Sequence, residues 1–586
     1  MKVMRWSSFC LVALSAISLV GREARASVYV VDQAAPGAAD TNAGTEESPF
    51  KTIQRAADAV KPGDTVCVMD GRYEERVKVA TSGAEGQPIT FQAMPRRSAR
   101  VWGFDLAASY IRVVGFEICG PKPLVAVEVD GSYCEVLDNY IHEMMQAVGT
   151  HGEYSAVAHN RVAYNAVYHS EFGFVIQGND WLVENNEVNR LFMYAAGRWF
   201  DDCDYSRFWG DGLIERYNYY HGTRQNEINT AHTDGIQTWL GGDSAWSKHV
   251  TLEYNAFFDF HQGCMVDSAP NIGGVRYWTF RHNIYSTNWS PEFLRGGWGP
   301  DICQTLDVTV ENCTIFSVNW SCIGLRGKES TNGQIRDNIL CDAERAVLDG
   351  DEHFSHSEPI IEYNLTYETR ALDGATNING KDPLFVDPDG RNFRLRKGSP
   401  AIGTGKDGVT VGAMEWPNVW YVDPRHPAAS DHPGWGYPAV PLATLERACA
   451  LAQPGETIVL RGGVYREMLR PACDGVTIKA MEGEKVTISG ANVVTNWMRD
   501  EGGGWSTYAL RAPRKMLRDG QPWTDFTYIK TGNAGRILLK TGGDPRLHLF
   551  ETVVRRNAIN LDDRKDVKVE GITVVDTLGE GMPAAE

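Results

Sequence analysis

From Val136 to Asn364 the chain repeats one short phrase: an apolar residue, two variable residues, an asparagine and a further apolar pair. It reads VLDNYI around Asn139, VAYNAV around Asn165, VENNEV around Asn186, LEYNAF around Asn255, FRHNIY around Asn283, IRDNIL around Asn338 and IEYNLT around Asn364. Two looser copies are ERYNYY at Asn218 and VENCTI, where Cys313 takes the place of the asparagine. The interval of 21 to 37 residues is that of a solenoid. Within each unit, β-branched and aromatic runs are broken by Asn, Gly and Asp, which predicts short strands and tight turns instead of helix pairs. One such unit cannot bury its own apolar face, but stacked coils bury a continuous column. The expected fold is therefore all-β, a parallel β-helix. Asparagine tolerates the left-handed backbone and bonds to neighbouring backbone groups, so one per coil at the same bend predicts a stacked ladder with a structural role.

The array has a marked beginning, and the chain contains it twice. A segment from Val28 to Val77 includes PGDTVCVMDGRYEERV, and a second version from Val419 includes PGETIVLRGGVYREML, aligned without a gap. In each, a stretch of helical spacing, Thr52 to Val60 and Thr444 to Ala452, precedes Pro-Gly, as a short helix capping the open end of a stack would.

The first cap, with PGDTVCVMDGRYEERV and the TSGAEGQPITFQAM that follows, resembles the start of the right-handed parallel β-helix proteins of the pectate-lyase-like superfamily. DPLFVDPDGRNFRLRKGSPAIGTG, from Asp382 to Gly405, is similar to the closing coil of secreted members. The resemblance spans Ser27 to Pro417 and implies a right-handed coil with an N-terminal helical cap in a secreted, carbohydrate-active protein. The superfold hosts lyases, hydrolases, epimerases and adhesins, so it does not select a reaction. The second unit, residues 418–586, departs after VTISGANVV: a stretch from about Asn496 to Arg556 reads as a small antiparallel insertion, and stacking resumes at DVKVEGITVVD. Some glycosidase β-helices are similar in carrying a β-rich inset after the cap. This unit is expected to be truncated, leaving activity to residues 27–417.

Residues 1–26 have a basic start, an apolar stretch too short to span a membrane and an Ala24, Arg25, Ala26 ending, the pattern of a cleavable signal peptide. Export, to a periplasm or outside the cell, is the expectation, with no membrane insertion. Eleven cysteines follow, with no CxxC pair and no zinc-type Cys/His spacing. Cys303, Cys313, Cys322 and Cys341 are dense enough for one disulfide, and buried free thiols are the alternative. A net charge of −18 without a basic stripe argues against nucleic acid as a partner. With 17 tryptophans and 23 tyrosines, several beside acids and amides, the chain has rings suited to stacking on sugars.

Aligning one strand per coil as VEVDG, VGTHG, VIQGN, IQTWL, MVDSA, FLRGG, GLRGK and VLDGD gives an outward column of Asp130, His151, Gln177, Trp239, Asp267, Arg295, Arg326 and Asp349. It reads either as a polysaccharide groove or as a ladder of ion pairs, Asp267 to Arg295 and Arg326 to Asp349. Two long insertions flank it, Leu191 to Thr233 with Asp202, Asp204, Trp209 and Asp211, and Gly296 to Gln304 with Trp298. AHTDGIQTW places His232 and Asp234 at a Gly turn before Gln237 and Trp239, and His261 falls at the comparable place one coil later.

Cleavage of a uronate polymer by β-elimination needs a cation for the sugar carboxylate and a base for the adjacent ring proton. Arg295 and Arg326 are the candidate neutralisers, and His232 or His261 the candidate base. Asp234 and Asp267 either orient the histidine or hold calcium. The calcium-dependent lyases that this chain resembles use a lysine base, and no lysine here matches it. Hydrolysis would instead use paired carboxyls, drawn from Asp234, Asp267, Asp202, Asp204 and Asp211. A non-catalytic polysaccharide binder is the third reading. Gln237, Trp239, His151, Trp209, Asp211 and Trp298 are the expected substrate contacts.

Overall fold

The computed structural model describes residues 26–579 apart from 122–123, 151–156, 195–201, 229–230, 240–245, 269–273, 288, 290–296, 328–329, 351–357, 500–503, 511, 532–533 and 541–542. The signal peptide, His151 and Arg295 therefore lie outside the described residues, Ala26 excepted. Parallel pairings join 31 strands into one wound sheet, each coil adding to three faces. The first face includes Ile111–Val114, Glu135–Leu137, Arg161–Ala163, Ser247–Glu253 and Val275–Arg281. The second includes Glu117–Ile118, Tyr140–His142, Ala166–Tyr168, Tyr219–His221 and Ala256–Phe258. The third includes Gln146–Gly149, Gln237–Trp239, Gln262–Asp267, Trp298–Cys303 and Ser321–Arg326. Two long strands, Phe172–Glu184 and Ser206–Arg216, bend from the third face into the first face of the next coil.

In-register stacking fills the interior with like residues. On the second face Val188, Tyr220, Phe257, Tyr285 and Ile315 follow one another, and the Phe257 and Tyr285 rings lie parallel at 4.9 Å. The asparagines form the ladder. Asn139 Nδ2 donates to Asn165 Oδ1, and the pattern continues through Asn186, Asn218, Asn255 and Asn283 at 3.0–3.1 Å. It resumes from Asn338 to Asn364 beyond Cys313. One detail departs from expectation: the left-handed residue is the one before each asparagine, as at Asp138, Tyr164, Tyr217, Tyr254 and His282. That geometry turns the chain so that the amide points inward, where its bonds to both neighbouring coils satisfy it.

The ion-pair ladder is on a different face from the one expected. Glu184, Arg216, Glu253, Arg281, Glu311, Arg336 and Glu362 occupy equivalent positions on the first face, with strictly alternating charge. Arg216 to Glu184 is 2.9 Å and Arg281 to Glu253 is 2.5 Å. Pairs such as these run across coils, so the sign alternates only once the register is known.

Helix α1 (Ile53–Ala57) packs on the strand Thr65–Val79, with the Thr52 hydroxyl accepting from Arg55 N. The matching α2 (Leu445–Leu451) has Thr444 in the same role. On either side of it in the chain, Val419–Val422, Thr457–Leu460, Thr477–Ala480 and Lys568–Glu570 pair in parallel. Antiparallel strands lie between Ala491 and Val553, so the inset begins before Asn496 and ends before Arg556. This second array meets the first along the turn that carries the left-handed residues: His426 Nε2 lies 2.9 Å from Tyr217 O, and Arg461 Nη1 donates to Asn185 Oδ1 at 2.8 Å. All eleven cysteines described are free. Among the described residues no helix is long and apolar enough to cross a membrane.

Candidate active site

Where the second face turns into the third, a polar cluster is assembled from three successive coils. Asp202 and His232 are bridge partners on adjacent coils, and Asp234 pairs with Gln262 on the next. His232 Nδ1 lies 3.0 Å from Asp202 Oδ1, while Arg207 reaches the other Asp202 oxygen at 2.7 Å and Asp204 at 2.6 Å. Asp204 Oδ1 accepts from the Asp234 backbone N–H at 2.9 Å, and Asp234 Oδ2 accepts from Gln237 Nε2 at 3.0 Å. Asp234 Oδ1 is buried with no hydrogen-bond partner among the described residues. The His261 ring stands 6.4 Å from that of His232; its Nδ1 accepts from Thr233 N at 3.0 Å, which leaves the ring proton on Nε2.

Burial and charge give these groups different protonation states. The Asp202 contact raises His232 to about 9, with Asp234 and Asp204 adding to it, and 43% of the side chain is exposed. Burial, with the His232 charge acting in the same sense, lowers His261 to about 3, so it is neutral throughout the physiological range. Burial pushes Asp204 up to about 6 and raises Asp234 well above the carboxylate range, each reinforced by the other acids of the cluster. Burial opposes ionisation of Asp202 as well, but His232 and Arg207 outweigh it and hold that carboxyl low.

A group whose folded pKa is raised binds protons that the unfolded chain gives up, so Asp204 costs stability as pH rises through about 4 to 6, and Asp234 costs stability in the same sense once the pH passes the ordinary carboxylate range. Asp234→Asn keeps an oxygen for Gln237 and removes the buried acid. Its melting temperature should exceed that of the wild type at pH 8 and match it at pH 4, as read by calorimetry; a lower value at pH 8 would mean that the carboxyl is favourably ionised.

Gly235 has a role other than the tight turn expected of Asp-Gly. A Cβ there would lie 2.1 Å from Gly263 O, so its requirement is the close approach of two backbones. That closeness draws the strand carrying Asp234 and Gln237 onto the next coil.

Register places the other candidates. Gln177, Trp209, Trp239, Asp267, Cys303 and Arg326 follow one another on the third face. Trp209 and Asp211, read as insertion residues, belong to the strand Ser206–Arg216, and Trp298 to Trp298–Cys303. Trp209 Nε1 donates to Trp239 O at 2.9 Å with the rings edge to face, and the Arg207 guanidinium lies 5.1 Å over the Trp239 ring. Asp211 faces His249 at 2.6 Å, away from the cluster. Trp298 stacks on Trp320 at 5.9 Å, two rings aligned along the face.

Several roles expected of these residues are corrected. Arg326 is buried and clamped by Asp301 at 2.7 and 3.0 Å instead of meeting Asp349, so it is not placed to neutralise a sugar carboxylate. Gln237 is buried against Asp234 and presents no substrate contact. Asp267 pairs with Trp239 at the far end of its strand, roughly 16 Å along from the Asp234 pair, and takes no part in the cluster. Asp234 and Asp267 therefore cannot share a calcium ion, which needs about six to eight converging oxygens. Asp202 and Asp204 already hold the Arg207 guanidinium, so calcium does not fit there as arranged. Asp202, Asp204 and Asp211 were legible as loop acids; Arg207 was missed. Its signal was the Asp-x-Asp-x-x-Arg spacing, which becomes informative only when Arg207 is set opposite Gln237.

Residues 36–91 match the family described as a protein of unknown function (DUF1565). The uncharacterized protein YwoF of Bacillus subtilis (strain 168) is 36% identical over 72 residues, 12% of this chain and 15% of that protein. Pectate lyase PEL9 of Emericella nidulans is 24% identical over 306 residues, 50% of this chain and 67% of that protein. The chain is a parallel β-helix that is similar in sequence to that pectate lyase. Among solved structures, a mutant of the PL6 family alginate lyase AlyGC resembles this β-helix with 16% identity and a TM-score of 0.42, over 75% of this chain and 68% of the other. The β-helix thus aligns with most of PEL9 but with only a small part of YwoF.

Proposed function

We propose that this β-helix cleaves an acidic polysaccharide by β-elimination in a groove on the third face, with His232 as the base. The observation that carries the reading is the Asp202–His232 contact: a part-exposed imidazole oriented by a carboxylate at the edge of a strand face lined by Trp239, Trp298 and Trp320. Similarity to pectate lyase PEL9 over half the chain supports the same class of chemistry. In its deprotonated form His232 takes the proton from the ring carbon beside the sugar carboxylate. The electron pair forms a carbon–carbon double bond, the bond to the glycosidic oxygen breaks, and that oxygen takes a proton from water. Arg207, sharing Asp202 with the base, supplies positive charge beside it. His261 shapes the site and does not act as the base, because burial keeps its proton affinity too low.

A hydrolase would need two accessible carboxyls flanking the bond. Asp204 and Asp234 are both fully buried, which favours elimination. Export by the leader in residues 1–26 and capping of the stack by α1 belong to the same proposal.

The test is incubation of the full chain with acidic and neutral polysaccharides, following unsaturated uronate absorbance and reducing ends together. Both signals should rise on an acidic polymer and vanish in His232→Ala. Reducing ends alone would indicate hydrolysis, and binding without either signal would make the protein a sugar-binding stack.

A further inference from the structure

We propose that Cys119, His142 and Glu143 form a zinc-class metal site on the turn from the second face to the third, tying two successive coils together. The register pairs Glu117 with Tyr140 and Ile118 with Ile141, which brings Cys119 opposite His142. One ligand atom from each of Cys119, His142 and Glu143 lies within 4.8 Å of the others, the one such group among the described residues. Cys119 Sγ to Glu143 Oε2 is 3.5 Å, and His142 Nδ1 to the same oxygen is also 3.5 Å. A tetrahedral zinc, with Zn–S near 2.3 Å and Zn–N or Zn–O near 2.0 Å, sets its ligand atoms roughly 3.3 to 3.6 Å apart. The two edges that meet at Glu143 already have about the length that the ion requires.

The surroundings orient the ligands. His142 Nε2 lies 3.3 Å from Glu117 Oε1, so its N–H donates to that carboxylate and the Nδ1 lone pair faces Glu143. The Tyr140 ring, stacked at 4.6 Å, fixes the plane of the imidazole. Arg100 Nη2 donates to Cys119 Sγ at 3.1 Å and holds the sulfur in place, and the metal binds it as the thiolate while the thiol proton leaves to solvent. Cys119 is buried, whereas 56% of the Glu143 side chain is exposed, so the ion has a route from solvent and a fourth position for water. The candidate active site shares this turn, two to four coils further along, but none of its residues.

Cobalt(II), titrated into the metal-stripped full chain, should give a near-ultraviolet thiolate-to-cobalt band that saturates at one equivalent and is bleached by zinc(II). Cys119→Ser should abolish the band, and Glu117→Gln should weaken binding about tenfold through the freed imidazole. Circular dichroism of each variant separates a lost site from a lost fold, and His142→Gln serves if Cys119→Ser does not fold. Absence of the band in the wild type, or its persistence in a folded Cys119→Ser or His142→Gln, would overturn the proposal.

Discussion

The rate of elimination at low substrate concentration is expected to climb about tenfold per pH unit from neutrality and to level off near pH 9. His232 is held protonated by Asp202, so at pH 7 only about one molecule in a hundred has the free imidazole that can accept a proton. Raising the pH converts the resting cation into the base. In Asp202→Asn the main cause of the raised value is gone, so the rising limb should move toward the ordinary histidine range. The plateau should fall as well, because the ring is no longer oriented. His232→Ala should lose a factor of about 10² to 10⁴ and show no such limb. A wild-type rate that falls through pH 9 would instead make His232 a cationic partner of the substrate and move the base elsewhere.

Asn218→Ala is expected to destabilise the stack by about 3 to 5 kcal/mol, a large effect from an interior ladder residue far from the chemistry. Asn218 Oδ1 accepts from both the backbone and side-chain nitrogens of Asn186, at 2.9 and 3.0 Å. Its Nδ2 donates to Val183 O and Asn255 Oδ1. Alanine strands groups on both sides in a fully dry interior, where each unsatisfied group costs about 1 to 3 kcal/mol. Asn377, at the end of the ladder and partly exposed, should cost no more than about 1 kcal/mol when replaced by alanine. Urea unfolding of the two variants checks the contrast; equal losses would mean that the ladder bonds are not what the interior depends on.

The ladder also shows how far the fold was legible. A single asparagine in a repeated apolar frame is enough to predict stacking, because one buried amide per coil has few partners other than its copies. The left-handed residue was placed one position late, since Tyr and His at those bends carry no turn signal of their own. Charge was harder. Glu184, Arg216, Glu253 and Arg281 are scattered in sequence and alternate only in register, so the ion pairs were sought on the third face, where Arg326 in fact turns to Asp301.

The candidate site was readable at His232, Asp234 and His261, because AHTDG and DFHQG each join a histidine to a tight backbone approach at a coil edge. Asp267 was drawn in by its position in the outward column, and only the pairing of Trp239 with Asp267 shows how far along the strand it stands. Arg207 escaped because SRFWGDG looks like an insertion, although its alternation of buried and outward residues is that of a strand.

The mass of the cleavage products tests the central claim most directly. Elimination by the wild-type chain on an acidic polysaccharide predicts oligosaccharides lighter by one water than the saturated series, formed faster at pH 9 than at pH 7 and absent with His232→Ala. Products carrying the full water, or fragments of equal mass and yield from His232→Ala, would contradict it.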